Sequence, residues 1–216
     1  PLGRRHLVEE EDGVAVEHYE YDPNGNRLVG ESYGVTSFGT YDAQDRLVSY
    51  GASTYTYAPN GELESRSGPN PLNTEYDVCG NLRRVSAGGE TRTYVTDAKG
   101  RRGQRLVDGD FDAAWLWRSA LQPAASLTEA GAVEQGYQYA GGSNVPDLVV
   151  DPTSGARWRL VKDQVGTVRM VVDVATGAVV RRLDFDSFGR VIASSGDLEA
   201  VPFGFAGGLW EPATGL

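Results

Sequence analysis

The chain has 216 residues, room for one domain or two small ones, and its 40% hydrophobic content is enough to bury a sizeable core. Thirty acidic against 20 basic residues leave a net charge of −10, which argues against a phosphate backbone as partner, and no run approaches the ~18 apolar residues of a membrane helix. One cysteine, Cys79, excludes an internal disulfide and a thiolate zinc site, and two histidines, His6 and His18, leave little for His-based catalysis or metal binding.

The chain opens on Pro1, which suggests a fragment or a processed product whose targeting information is not visible. The first clear element is Val14 to Tyr21, which alternates as a strand does and places His18 on an exposed face. A turn motif follows in Tyr21-Asp22-Pro23-Asn24-Gly25-Asn26-Arg27-Leu28. It recurs as Tyr41-Asp42-Ala43-Gln44-Asp45-Arg46-Leu47, as Tyr57-Ala58-Pro59-Asn60-Gly61-Glu62-Leu63 and as Tyr76-Asp77-Val78-Cys79-Gly80-Asn81-Leu82. A looser copy runs from Thr96 to Arg102, so the steps between starts at 21, 41, 57, 76 and 96 are 20, 16, 19 and 20 residues. Each copy reads as strand, tight turn and return strand. The Asp starts the turn by accepting a backbone hydrogen bond two residues on, and Gly supplies positive φ. Asn-Gly at 24–25 and 60–61 is the strongest short hairpin signal. A lone hairpin is marginal, so the copies are expected to pair edge to edge in one continuous sheet.

The second half keeps the hairpin grammar and loosens the motif. Turn signals recur at Asp108-Gly109, Ala130-Gly131, Ser154-Gly155, Val165-Gly166 and Thr176-Gly177, with β-rich runs between them. Phe111 to Leu121 is the one stretch where a helix competes. Trp115 and Trp117 share one strand face there and Pro123 closes the run, which favours a strand. A late copy of the motif is Phe185-Asp186-Ser187-Phe188-Gly189-Arg190-Val191.

These units resemble the YD (RHS) repeats. The run from Asp163 to Arg169, then Val172-Asp173, Thr176-Gly177, the Phe185 copy and Pro202-Phe203-Gly204-Phe205-Ala206-Gly207-Gly208-Leu209 resembles the core signature of bacterial RHS proteins. The likeness covers about residue 19 to 216. It implies an all-β fold in which antiparallel β-hairpin repeats form part of a spiral YD-repeat shell. A hairpin array over 1–105 and an RHS-associated core over 106–216 are expected, as parts of one continuous β-strip. The resemblance further implies a non-catalytic shell fragment that encapsulates a C-terminal toxin cargo, with other shell or delivery components as partners, in a secreted or cell-surface parent. An adhesion or glycan-binding module is the alternative.

A third reading is a piece of an aspartyl autoprotease. In the resembled family, cleavage uses an acidic-Pro-x-x-Gly-Leu element followed by a second Asp-Pro element. Glu211-Pro212-Ala213-Thr214-Gly215-Leu216 matches the first, with Glu211 where Asp is usual, and the second is absent. An acid pair is needed so that one carboxyl stays protonated while the other activates water, so Glu211 is the one catalytic candidate and no proteolysis is expected from this stretch alone. Tyr21, Asp22, Gly25, Tyr41, Asp42, Tyr57, Gly61, Tyr76, Asp77, Gly80, Phe185, Asp186 and Gly189 are expected to be structural. The aspartates lack the dense spacing of calcium loops, so no metal and no cofactor is expected. Asp184 and Asp186 flank Phe185 and read as a solvated or capping pair. Ser194-Ser195-Gly196-Asp197 reads as a surface loop, and Arg101-Arg102-Gly103-Gln104-Arg105 as edge charges that deter sheet-to-sheet sticking. The repeat tyrosines are expected to stack as cross-strand ladders.

Overall fold

The structure, a computed structural model, describes residues 5–11, 14–196 and 201–211. The chain divides into two compact units, Pro1–Gly89 and Glu90–Leu216. Among the described residues there is no α-helix; every element is a strand apart from one short 3₁₀ turn.

The first unit is a ladder of β1 (Arg5–Glu11), β2 (Val14–Tyr21), β3 (Arg27–Ser32), β4 (Val35–Tyr41), β5 (Leu47–Tyr50), β6 (Ser53–Tyr57), β7 (Leu63–Ser67), β8 (Leu72–Tyr76) and β9 (Leu82–Ala87). Each strand pairs antiparallel with the next. The second unit continues the same plan with β10 (Glu90–Thr96), β11 (Arg102–Val107), β12 (Asp110–Trp117), β13 (Pro123–Leu127), β14 (Val133–Gln138), β15 (Leu148–Val150), β16 (Arg157–Lys162), β17 (Val168–Asp173), β18 (Val179–Phe185) and β19 (Val191–Gly196). It too is antiparallel throughout. The stretch in which a helix competed is strand β12, with Trp115 buried and Leu116 on the opposite, exposed face.

One turn builds eight of the hairpins among the described residues. The N–H of Asp22 donates to Asn26 O and the N–H of Gly25 donates back to Asp22 O. The same two bonds close the turns that begin at Asp42, Ala58, Asp77, Asp97, Thr128, Asp163 and Asp186. The ladder slips by one residue beside the turn, as at Glu20/Tyr21, Thr40/Tyr41 and Thr56/Tyr57. That combination is a tight turn closed by a bulge, which demands a left-handed residue. Gly25 and Gly61 fill that position at φ +96 and +93, and in the second copy Asp45 takes it at φ +60, as Asp can. Other hairpins use a different chemistry. Tyr33-Gly34 and Asp108-Gly109 carry two consecutive positive-φ residues, the signature of the type I′ turn that matches strand twist.

The two units differ in how much apolar surface they bury. In the first, Tyr19, Leu72 and Val85 are buried while Val35, Phe38 and Val48 remain exposed. In the second, Trp115, Tyr137, Val149, Leu160 and Val171 form one face of the ladder, and Val201 and Phe203 complete its core. Residues 201–211 therefore lie across the face of their own sheet.

Candidate functional site

The motif carboxylates are turn caps. Asp77 Oδ1 accepts the N–H of Cys79 at 2.8 Å and of Asn81 at 3.0 Å, while its Oδ2 accepts from the Asn81 amide at 2.9 Å. Asp42 takes Gln44 N, Arg46 N and the Arg46 guanidinium in the same way. Asp22 binds Asn26 through backbone and side chain, and Asp186 binds Phe188 N, Arg190 N and Arg190 Nε. Asp163, outside the strict repeat, accepts from Val165 N and Thr167 N and repeats the arrangement. Hydrogen bonds to the ionised form hold the carboxyls of Asp22, Asp42 and Asp77 below the ordinary range. At Asp42 the Arg46 side chain leads, at Asp77 the Asn81 side chain leads, and at Asp97 the Arg101 side chain lowers the value to about 2. Asp22 is lowered too: desolvation opposes the shift and the bonds from Asn26 outweigh it.

Two of the aromatics that precede a turn, Tyr41 and Tyr57, tie one hairpin to the one before. Tyr41 Oη donates to Arg27 O at 3.2 Å and Tyr57 Oη to Leu47 O at 2.9 Å. In each case the acceptor is the first residue of the strand that leaves the preceding turn. Trp117 Nε1 reaches Arg102 O and Tyr139 Oη reaches Pro123 O, both at 2.7 Å, with the same logic in the second unit. The rings also carry guanidiniums. Arg27 Cζ lies 4.4 Å from the Tyr50 ring centre and 5.6 Å from that of Tyr19, and Arg46 Cζ lies 5.3 Å from that of Tyr57. The rings of Tyr19, Tyr50 and Tyr57 thus carry arginine side chains.

Glu211, the catalytic candidate, is 3% exposed and lies in the second unit. Its Oε2 accepts from Tyr94 Oη at 2.5 Å. Its Oε1 pairs with Arg102 Nη1 and, at 3.3 Å, with Arg105 Nη1. Arg105 turns its Nε to Asp112 Oδ2, so a guanidinium stands between the two carboxylates. Arg102 also lies over the Tyr94 ring, 3.8 Å from its centre. Burial first, and then the Glu211 carboxylate, push the Tyr94 phenol well above its ordinary range. At Arg105 burial works the other way and is outweighed by Asp112 and Glu211, so the guanidinium is held protonated still more firmly. This arrangement fixes a carboxylate by ion pairs and a phenol on both of its oxygens. It does not let two carboxyls share a proton, the condition for acid–base work by a pair. Pro212 to Leu216, the rest of the motif, lies outside the described residues, as do Asp197 of the Ser194 loop and the His6 side chain.

The segment from Val201 to Glu211 is held along its length. Arg181, 2% exposed, donates from Nη2 to Phe203 O at 2.5 Å and from Nη1 to Val201 O. Gly204 O accepts from Val168 N at 3.1 Å, and Ala206 N donates to Thr167 Oγ1 at 3.0 Å. Phe203 meets Tyr137 edge-on at 5.0 Å, and Phe185 packs against Phe205 and Trp210. Gly189 is needed twice over. It caps its turn at φ +85, and a Cβ there would stand 2.7 Å from Cδ1 of Phe205. The segment itself doubles back through the Phe203–Leu209 bridge.

That doubling shortens its reach to about 19 Å. Eight strand spacings separate β18, which carries Arg181, from β10, which carries Tyr94, and on a flat sheet they would measure about 38 Å. The segment that Arg181 and Tyr94 grip at its two ends, together with the reach of those side chains, thus bridges strands eight positions apart in the ladder.

Sequence reasoning missed Tyr94, Arg102, Arg105 and Arg181. Arg101, Arg102 and Arg105 read as edge charges, and the structure instead directs Arg101 to Asp97 and the other two to Glu211. No pattern within the chain pairs residues so distant. Among the described residues no group of His, Cys, Asp and Glu could hold a metal ion, and no helix is long and apolar enough to cross a membrane.

Laterally tied hairpins, capped turns and a returning segment held on the face of its own sheet define a hairpin-repeat wall module. Comparison with known proteins gives it a family. Residues 3–216 match the Teneurin YD-shell family model, and the chain belongs to that family. It is 28% identical to zebrafish (Danio rerio) teneurin-3 in an alignment of 213 residues that covers 92% of this chain and 7% of that protein. Among solved structures, a Tc holotoxin pore of Photorhabdus luminescens aligns over 94% of this chain and 15% of its own, with 12% identity and a TM-score of 0.43. The TcdB2–TccC3 crystal structure aligns over 93% and 15%, with 12% identity and a TM-score of 0.44. The chain thus spans a small part of each relative.

Proposed function

We propose that this chain is a structural, non-catalytic section of a larger YD shell whose task is to enclose a C-terminal toxin cargo of its parent, in a secreted or cell-surface protein. The observation that carries this reading is the return of Val201–Glu211 across the sheet of the second unit. Arg181 and the Tyr94–Arg102–Arg105 cluster hold the segment across that face. A segment fixed over the strands of its own sheet covers one face of them, which supports an enclosing wall. Glu211 acts in this reading as the anchor of the closure.

The test is limited proteolysis of the parent polypeptide with its native C-terminal region. Enclosure predicts that this region resists protease under native conditions and is digested once denaturant opens the shell. Digestion at the rate of the isolated region would refute enclosure. The adhesion alternative rests on the exposed Val35 and Phe38 of β4, apolar surface that a partner could cover. It predicts that Phe38→Ser abolishes capture of the partner while leaving the protease resistance of the C-terminal region unchanged.

A further inference from the structure

Two copies of the repeat carry Asn-Gly at the same place in the turn, Asn24-Gly25 and Asn60-Gly61. Both asparagines are exposed, and both glycines have positive φ. In both turns the glycine N–H donates to the backbone carbonyl three residues earlier, at 3.1 Å to Asp22 and 2.9 Å to Ala58. The two sites therefore share local sequence, solvent access and backbone form. They differ in what restrains the asparagine. The Asn24 amide donates to both carboxylate oxygens of Asp45, at 3.0 and 3.3 Å, in the neighbouring turn. Its own turn is capped by Asp22, whose carboxylate accepts from the Asn26 backbone N–H at 2.8 Å and from the Asn26 side-chain amide at 2.9 Å. At the second site Ala58 replaces that aspartate, so the cap is missing, and the Asn60 side chain has no hydrogen-bond partner among the described residues.

We propose that Asn60-Gly61 is a site of spontaneous deamidation, and that Asn24-Gly25 is protected from the same reaction by Asp45 and Asp22. The Gly61 backbone nitrogen gives up its proton and attacks Cγ of Asn60. The new C–N bond closes a five-membered succinimide, the bond to the side-chain nitrogen breaks, and ammonia leaves with that proton. Water then adds to either ring carbonyl and opens it to aspartate or isoaspartate. No electron acceptor or donor is involved. Glycine favours the step because no Cβ crowds its nitrogen, and a Cβ position at Gly61 meets nothing within 4 Å. The Ala58 O bond to Gly61 must open first, which one backbone rotation in an uncapped turn achieves. At Asn24 the tether to Asp45 and the Asp22 cap must break as well. The product adds one negative charge beside the second tyrosine-tied turn, and the isoaspartate form lengthens the backbone within it. This inference concerns chemistry at a turn and does not depend on what the shell encloses.

The test is incubation of the folded chain in mildly alkaline buffer, with peptide mapping by mass spectrometry and an isoaspartate-specific assay. Asn60 should convert at least about tenfold faster than Asn24, the ratio that even one of the additional bonds to be broken would give. In denaturant the two rates should converge. Asp45→Gly, which accepts the positive φ of that position, should accelerate Asn24 and leave Asn60 unchanged, and Ala58→Asp should slow Asn60. Equal rates in the folded chain, a ratio that persists in denaturant, or an unchanged Asn24 rate in Asp45→Gly would each overturn the proposal.

Discussion

Tyr94 donates its phenolic hydrogen to Glu211 across 2.5 Å, although 117 positions separate the two residues. The bond joins β10, the first strand of the second unit, to the last described residue of the chain. It closes that unit on itself, and its partners Arg102 and Arg105 make the closure electrostatic as well as geometric.

Removing the carboxylate tests how much the closure contributes. Glu211→Ala leaves two guanidiniums and a phenol without their shared partner, and breaking a buried pair of this kind costs about 3–5 kcal/mol. The urea midpoint should fall with the slope unchanged. Glu211→Gln keeps the volume and one acceptor and should lose less. A midpoint equal to that of the parent chain in both variants would contradict the anchoring role.

Arg181 grips the other end of the segment. Arg181→Met keeps an apolar stem and loses the charge-assisted bonds to Val201 O and Phe203 O. Bonds to charged groups contribute about 1.5–3 kcal/mol each. Chymotryptic cleavage at Phe203 or Trp210 should accelerate well before the strands of the first unit are cut. A cleavage pattern identical to that of the unmodified chain would show that the segment is held by packing alone.

The capped turns give the fold an acid limit. The folded Asp97 carboxyl titrates at about 2, lowered first by the Arg101 side chain and then by its backbone N–H. In the unfolded chain it titrates near ~3.9. Between those values the unfolded state binds the extra proton. The stabilisation is therefore complete above about pH 4 and is lost as pH falls through the folded value. Asp42, Asp77, Asp151 and Asp173 shift in the same direction. The thermal midpoint should drop steeply on acidification over this window, and Asp97→Ala should flatten part of that slope. An unaltered slope in the variant would rule out Asp97 as a contributor.

The hydroxyl of a repeat tyrosine has a separate role from its ring. Tyr57→Phe removes the bond to Leu47 O and keeps the ring under Arg46. The expected loss is about 1 kcal/mol. Tyr41→Phe should behave alike through Arg27 O. Wild-type stability in both variants would mean that the ring alone ties neighbouring hairpins.

What the sequence determined was local. A turn needs an acceptor at its first position, a left-handed residue three positions on and an aromatic before it, all within about five residues. Such a pattern is visible in the chain because the atoms that bond are neighbours in it. Asp22, Asp42, Asp77 and Asp186 were legible for that reason, and so was the antiparallel plan, because short turns leave consecutive strands no other arrangement. The partners of Glu211 were not legible. They stand 109 and 117 positions away and hold its carboxylate by a phenol and an ion pair. Those contacts exist only because the Val201–Glu211 segment lies across the sheet between β18 and β10. Pairing rules act between adjacent strands and carry no record of that crossing, so the closure of the second unit was decided by tertiary structure alone.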